Sequence, residues 1–172
     1  VQGRIQNKEL YTATFDVSAS CASFSIAYDN AVKFLHAEPT VKYALVIGVY
    51  NMPAFIRPDD QFSLPIFSDG AGAVVIENNV NDGSEYIGSQ MLTDGTQYDF
   101  IGIYSGGAKY PITHEKLNAG EFGLQSLKPM PGDRNVRLWP MVIEKLLAKT
   151  NHHIRDIDHF IFTQINRSVI YS

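Results

Sequence analysis

Apolar residues in this chain fall into stretches with helical spacing and into short continuous runs. After residue 23 one apolar set recurs at helical spacing, namely Phe24, Ala27, Ala31, Phe34 and Leu35, while Asp29, Asn30 and Lys33 lie mostly on another face. This spacing predicts an amphipathic helix that ends at Glu38-Pro39. Residues 12–18 predict a short strand before it, with Ser18 or Ser20 as the cap of the helix.

Further along the chain, the apolar pattern predicts a layered α/β core. Residues 43–49 form a nearly continuous apolar run, typical of a strand covered on both faces. Residues 67–76 carry a glycine turn between apolar shoulders, which we interpret as structural because no Lys-Ser/Thr follows it. Residues 134–150 predict a helix with an apolar stripe, in which Pro140 must sit near the first turn or kink the helix. Residues 158–166 predict another strand.

The only cysteine, Cys21, lies where the first predicted strand changes into the helix, among small residues. A thiol at the first turn of a helix is close to unpaired backbone N–H groups and the positive end of the helix dipole. Both lower the pKa of a thiol toward the reactive thiolate. The alternative is that Cys21 is a buried small hydrophobic residue. The position predicts a nucleophile.

Composition narrows the function classes. The 172 residues carry a net charge of −4 and are 45% hydrophobic, and no apolar stretch is long enough to span a bilayer. These features argue against a nucleic-acid partner and against a membrane partner. One cysteine excludes an internal disulfide framework and favours a cytoplasmic location. The histidines lack metal-ligand spacing with a cysteine or carboxylate, so no metal site is predicted.

Three motifs in order carry a family resemblance. They are Cys21-Ala22-Ser23-Phe24, the run from Val41 to Gly48, and Phe67-Ser68-Asp69-Gly70-Ala71-Gly72-Ala73. With this order and spacing the chain resembles the 3-oxoacyl-[acyl-carrier-protein] synthase III family of thiolase-like condensing enzymes. The resemblance implies an α/β, thiolase-like fold layered α-β-α-β-α. It also implies an acyltransferase whose catalytic cysteine, here Cys21, takes an acyl group from a thioester.

Family members are built from two similar halves and are about twice as long as this chain. The resemblance therefore implies an internal fragment with an incomplete fold. Residues 1–130 are expected to form the C-terminal part of the first half, which carries the nucleophile. Residues 131–172 are expected to begin the second half.

The sequence departs from the family pattern at one catalytic position. The strand of residues 158–166 resembles the family's strand ending in His-Gln-Ala-Asn, and Thr163 stands where the catalytic histidine is expected. A threonine hydroxyl donates one hydrogen bond but cannot act as an imidazole acid or base. His159 does not substitute, because four strand residues place it about 13 Å away. The decarboxylating condensation is therefore in doubt.

The remaining site residues and partners follow from the resemblance. Asn166 matches a substrate-orienting asparagine, and Arg134 and Arg137 are candidate contacts for an acidic carrier protein or for coenzyme A phosphates, the alternative being an ordinary solvated helix face. No bound cofactor is implied, because the coenzyme A or phosphopantetheine thioester is itself the substrate. The implied partners are acyl-CoA, acyl carrier protein and a second copy in a homodimer.

Three functions stay open at this point. The first is acyl transfer of the synthase III type in fatty acid or polyketide-like biosynthesis. The second is acyl transfer without decarboxylation to an alcohol, an amine or a carbanion in specialised metabolism, which needs no histidine. The third is a non-catalytic binding subunit. The presence of Cys21 with small neighbours argues against the third.

Overall fold

The structure is a computed structural model that describes residues 1–7, 9, 11–79 and 83–171. Its helices are α1 (Gln2–Ile5), α2 (Ser23–Ala37), α3 (His114–Asn118), α4 (Arg134–Thr150) and α5 (Arg167–Ile170). Its strands are β1 (Tyr43–Tyr50), β2 (Gly70–Glu77), β3 (Ile101–Gly102) and β4 (Gln125–Ser126). Short 3₁₀ turns cover Ser20–Ala22, Met52–Phe55, Gly95–Gln97 and Ile154–Asp156. The helices predicted after residue 23 and over residues 134–150 and the strand predicted over residues 43–49 are present, whereas Gly70 to Ala73, predicted as a turn, begin strand β2.

The chain divides into two compact units. The first comprises Val1–Gly48 and Gly72–Gly83, and the second comprises Val49–Ala71 and Ser84–Ser172. This division follows spatial contacts, whereas the predicted boundary after residue 130 refers to the two halves of the family fold. The boundary after residue 130 stays a prediction.

The core of the first unit lies between α2 and a two-stranded sheet of β1 and β2. Leu35 and Val46 are the buried apolar residues, with 3% and 5% of their surface exposed. The Asn78 backbone N–H donates to the Lys42 carbonyl at 2.8 Å, so the end of β2 lies beside the start of β1. The Asn78 side chain also donates to the carbonyls of Leu35 and Val41, at 2.9 and 3.3 Å. One amide therefore joins the end of α2 to both strands.

Three expectations about the first unit are wrong. Residues 12–18 are not in a strand. Only one face of β1 is covered within the described residues, since Tyr43, Leu45 and Val49 are exposed. Asp29, expected on the polar face of α2, is 5% exposed and pairs with Lys33 at 2.7 Å. An ion pair one helical turn apart lets the carboxylate keep a partner when it is buried.

The second unit contains the antiparallel pair β3 and β4, with Ile101 opposite Ser126 and Gly102 opposite Gln125. Ile56 and Leu124 are its buried apolar residues. The Leu124 N–H donates to the Phe55 carbonyl at 2.8 Å, which ties the segment before β4 to the 3₁₀ turn of residues 52–55. This contact brings residues 52–55 and the segment before β4 into one core.

Helix α4 is the longest element of the second unit. It ends at Asn151, which has left-handed backbone angles of φ 57° and ψ 40° and lets the His152 N–H reach the Leu147 carbonyl at 3.0 Å. Asparagine tolerates this conformation better than most residues, so it is a suitable helix terminator. Pro140 lies in the second turn of the helix. In the described part of the chain, no helix is long and apolar enough to cross a membrane.

Candidate active site

Cys21 is the central residue of the 3₁₀ turn Ser20–Ala22, and α2 begins at Ser23, two residues after Cys21. Its side chain is a free, exposed thiol, so the alternative of a buried hydrophobic cysteine is wrong. The segment before the turn, expected to be a strand, is not part of a strand. The junction of turn and helix thus leaves the thiol open to a reactant.

The turn around Cys21 is held by Ser23 rather than by the predicted cap residues Ser18 or Ser20. The Ala19 N–H donates to Ser23 Oγ at 2.8 Å, and Ser23 Oγ donates to the Ser20 carbonyl at 2.7 Å. Helix α2 has Ala22 at its N-cap position and no side-chain cap. The signal for this arrangement was present in the sequence, because a serine in the first turn of a helix often bonds nearby backbone groups.

Residue Ser20 has a left-handed backbone, with φ of 51°. This conformation costs a residue with a Cβ about 1–2 kcal/mol. Strained residues of this kind persist only where the surrounding contacts hold them, and they are concentrated at functional sites. The strain therefore marks the residue immediately before the thiol as structurally important.

Thr163 lies in the second unit, in a segment that the sequence predicts as a strand but that the structure leaves outside any sheet. A strand in a sheet needs a hydrogen-bonded neighbour strand, and an apolar pattern alone does not supply one. The segment is anchored by Phe162, whose ring stacks on Trp139 of α4 with centroids 5.0 Å apart and planes 6° apart. Phe160 stacks on Phe162 at 5.9 Å. The Thr163 side chain is exposed next to this anchored ring.

Asn166 is the N-cap residue of α5. Its Oδ1 accepts hydrogen bonds from the Ser168 N–H at 3.0 Å and from Ser168 Oγ at 2.7 Å. The side-chain carbonyl is therefore used within the chain. The part of Asn166 left to meet a substrate is its Nδ2 donor.

Arg134 and Arg137 begin α4 and both act on Asp94. Asp94 N-caps the turn Gly95–Gln97, accepting from Thr96 Oγ1 at 2.6 Å and from the Thr96 N–H at 2.9 Å. These bonds, and then the charges of the two guanidinium groups, hold the pKa of Asp94 below its usual range. Asp94 was not among the residues predicted for the site, although an Asp two residues before a Thr commonly forms a side-chain turn.

The predicted site residues are divided between the two units. Cys21 belongs to the first unit, and Thr163, Asn166, Arg134 and Arg137 belong to the second. In the second unit the stack of Trp139 and Phe162 connects α4, which begins with the arginines, to the segment of Thr163. Over the described ranges, no three His, Cys, Asp or Glu side chains are grouped to hold a metal ion. The chemistry available is that of a thiol, a hydroxyl, an amide and two guanidinium groups.

Comparison with known proteins places this chemistry in a family. A family profile described as "3-Oxoacyl-[acyl-carrier-protein (ACP)] synthase III" matches residues 15–95, which include Cys21. The curated β-ketoacyl-[acyl-carrier-protein] synthase III of Prochlorococcus marinus subsp. pastoris is 32% identical over 174 residues, covering 98% of this chain and 51% of that protein. The chain spans about half the length of the curated relatives it matches.

Solved structures share the fold. A 3-oxoacyl-(acyl-carrier-protein) synthase III crystal structure superposes with a TM-score of 0.74 at 21% identity, over 91% of this chain and 49% of that one. The β-ketoacyl-[acyl carrier protein] synthase III of Thermus thermophilus gives a TM-score of 0.68 at 23% identity, over 91% and 47% of the two chains. The expected α/β, thiolase-like fold is thereby confirmed for the part that this chain represents. With Cys21 inside the matched residues, the chain belongs to the 3-oxoacyl-[acyl-carrier-protein] synthase III family.

Proposed function

We propose that the protein is an acyltransferase of the 3-oxoacyl-[acyl-carrier-protein] synthase III type with Cys21 as its nucleophile. The Cys21 thiolate attacks the carbonyl carbon of an acyl thioester, the bond from that carbon to the donor sulfur breaks, and the donor leaves as a free thiol. The acyl-cysteine then passes its acyl group to a second substrate in fatty acid or polyketide-like biosynthesis. The observation that carries this proposal is an exposed thiol at the start of α2, inside the family match.

The identity of the second substrate depends on Thr163. Loss of carbon dioxide from a malonyl thioester leaves an enolate, and the family resemblance assigns the stabilisation of that enolate partly to the histidine that Thr163 replaces. One missing oxyanion donor lowers a rate by about a hundredfold or more. Our second candidate is therefore transfer to an alcohol, an amine or an existing carbanion, which needs no decarboxylation. This variant forms no enolate and so does not need the histidine; the Thr163 hydroxyl donates one hydrogen bond, and the proton of an alcohol or amine acceptor passes to solvent.

The donor is an acyl group on coenzyme A or on the phosphopantetheine of an acyl carrier protein, and no bound cofactor takes part. Arg134 and Arg137 at the start of α4 suit the phosphates of either donor or an acidic carrier surface. Substituting both by Glu is expected to raise the KM for a carrier-protein donor by about tenfold. Arg155→Glu is the control for a charge reversal away from α4. The Arg155 side chain is 82% exposed, and its Nε lies 4.0 Å from Asp156 Oδ1. An equal effect of both changes would exclude the α4 arginines as specific contacts.

Two further properties of the protein are proposed. We expect a homodimer, as the family resemblance implies, and a cytoplasmic location, as the single cysteine favours. Sedimentation equilibrium of the full-length protein tests the first. A monomer at micromolar concentration would contradict it.

Intact-protein mass spectrometry tests the proposed nucleophile directly. The full-length protein is incubated with acetyl-, octanoyl- and malonyl-coenzyme A, in parallel with Cys21→Ala. A mass gain equal to the acyl group in the native protein, and none in the variant, is the expected result, and the fraction of protein that carries the added mass ranks the donors. Folded protein that gains no mass with any donor would leave a non-catalytic binding subunit as the better description.

A further inference from the structure

The turn that carries Cys21 is closed largely by one residue. The Ser23 hydroxyl accepts from the Ala19 N–H at 2.8 Å and donates to the Ser20 carbonyl at 2.7 Å. The Ser23 N–H also bonds the same Ser20 carbonyl. The Ser23 side chain therefore connects backbone groups that precede Cys21 to the helix that follows it.

These bonds act on the strained residue of the turn. Ser20 is left-handed, with φ of 51°, and it is the residue immediately before Cys21. A left-handed residue with a Cβ reverts to ordinary angles unless its neighbours prevent it. The Ser23 hydroxyl bonds the Ala19 N–H, which precedes Ser20 in the chain, and the carbonyl of Ser20 itself. These two bonds restrain the backbone on both sides of the Ser20 Cα.

The geometry points to Ser23 as a positioning residue for the thiol. By keeping Ser20 left-handed, the Ser23 hydroxyl sets the direction in which the next residue, Cys21, projects its Sγ. Ser23 acts through the backbone and takes no part in bond making. This inference rests on the proposed function of Cys21 as a nucleophile. It matters for rate because a misplacement of about 1 Å at a reacting atom costs up to a hundredfold.

The test compares Ser23→Ala, which removes the hydroxyl, with Ser23→Thr, which keeps it, in the full-length protein. Ser25→Ala is the matched control, since Ser25 is an exposed serine of the same helix. Two rates are measured at one pH: acylation of Cys21 by the best coenzyme A thioester, and alkylation of Cys21 by iodoacetamide. Thermal melting accompanies each variant to detect loss of fold.

We expect Ser23→Ala to slow acylation about tenfold or more and to change the alkylation rate about threefold, because both depend on where Sγ points. Ser23→Thr and Ser25→Ala are expected to stay within about twofold of the native rates. Unchanged alkylation and acylation in a folded Ser23→Ala protein would overturn the inference. So would an equal loss in Ser25→Ala.

Two further outcomes keep this test separate from that of the proposed function. If the native protein is alkylated but never acylated, the proposed acyl transfer fails, whereas the alkylation rates still decide the role of Ser23. If Ser23→Ala does not fold, the double variant Ser20→Asn with Ser23→Ala is used, because asparagine adopts the left-handed conformation more readily. Recovery of fold and alkylation rate supports the inference, and failure of both to recover overturns it.

Discussion

The ring of Phe24 lies directly over the backbone of Gly48. A Cβ added to Gly48 would lie 3.0 Å from Phe24 Cδ2, closer than side chains normally approach, and 3.7 Å from Phe24 Cβ, an ordinary contact distance. Phe24 is in the first turn of α2, three residues after Cys21, and Gly48 is in β1. The absence of a side chain at Gly48 thus lets the strand fix the start of the helix that follows the thiol.

Gly48→Ala is expected to displace the Phe24 ring and to lower the free energy of unfolding by about 1–3 kcal/mol, the usual cost of overpacking. Chemical denaturation measures this loss. The matched control is Gly72→Ala in β2, where an added Cβ meets nothing within 4 Å, and this change is expected to be neutral within about 0.5 kcal/mol. Equal effects of the two changes would mean that the Phe24 contact does not fix the helix.

Asn78→Asp is expected to destabilise the protein more than Asn78→Ala. The Asn78 amide donates to two carbonyls, and Ala removes both bonds at a cost of about 1–2 kcal/mol. Asp also brings a negative oxygen to the same two carbonyls, one of them at the end of α2, where the helix dipole is negative. Urea denaturation ranks the variants, and Asn30→Ala on the exposed surface of α2 is the control. Asp tolerated as well as Asn would contradict the two hydrogen bonds.

Phe162→Ala is expected to cost about 3 kcal/mol of stability, because it removes a ring stacked on Trp139 and on Phe160. The neighbouring Ile161 is 95% exposed, so Ile161→Ala serves as the control and is expected to be neutral within about 0.5 kcal/mol. Thermal unfolding followed by Trp139 fluorescence checks both variants. Similar losses at the two positions would show that the stack does not anchor the segment of Thr163.

The pKa of Asp94 is expected to rise more in Thr96→Val than in a variant that replaces both Arg134 and Arg137 by Ala. The Thr96 side-chain hydrogen bond is the largest cause of the lowered pKa, and the arginine charges are smaller causes. Carboxyl NMR titration measures the pKa in each variant. Asp99, whose pKa is lowered by Lys128, is the internal reference and should titrate as before. A larger rise in the pKa of Asp94 in the arginine variant would contradict the prediction that the Thr96 hydrogen bond is the larger cause.

The same pKa shift sets a pH dependence of stability. Folding lowers the pKa of Asp94, so the ionised Asp94 carboxylate stabilises the folded protein. This stabilisation is complete above the ordinary carboxyl pKa of about 3.9, and it is lost as the pH falls through the pKa that Asp94 has in the folded protein. Native protein should therefore lose stability on acidification below that range more steeply than Thr96→Val does. Parallel acid unfolding curves for the two proteins would contradict this contribution.

Thr163→His is expected to raise the rate of malonyl-thioester decarboxylation by about a hundredfold, because an imidazole restores the donor that the family pattern has at this position. Release of labelled carbon dioxide measures the rate. Gln164→His adds the same group one residue further along and is expected to have no such effect. Decarboxylation by the native protein at the rate of Thr163→His would show that the histidine is not needed, and would favour the standard condensation.

Local elements were predictable because their signals lie in neighbouring residues. The helical spacing after residue 23 and after residue 134 predicts α2 and α4, and the apolar run at residues 43–49 predicts β1. The proline after Glu38 and the left-handed Asn151 end helices by restricting or permitting backbone angles at single positions. The motif containing Cys21 identified the family and the candidate nucleophile in the same way.

The residues of the candidate site stay predictions from the sequence, and the hydrogen bonds that these residues make could not be predicted from it. The exposed thiol of Cys21 agrees with a nucleophile and excludes a buried cysteine. The bonds of Ser23 to Ala19 and Ser20, and the use of Asn166 Oδ1 by Ser168, were not predicted. Each of these side chains could form hydrogen bonds with several nearby backbone groups. Which of these hydrogen bonds forms depends on the distances that the folded turn creates.

By itself, the sequence determined helices α2 and α4, strand β1, the family and the position of the thiol. Only the tertiary structure decided that residues 12–18 and 158–166 lie outside a sheet, that Asp29 is buried beside Lys33, and that one face of β1 is uncovered within the described residues. The physical reason is the separation along the chain between the residues that interact. Helical spacing and turn chemistry are set by adjacent residues, whereas strand pairing and burial depend on segments far away in the chain.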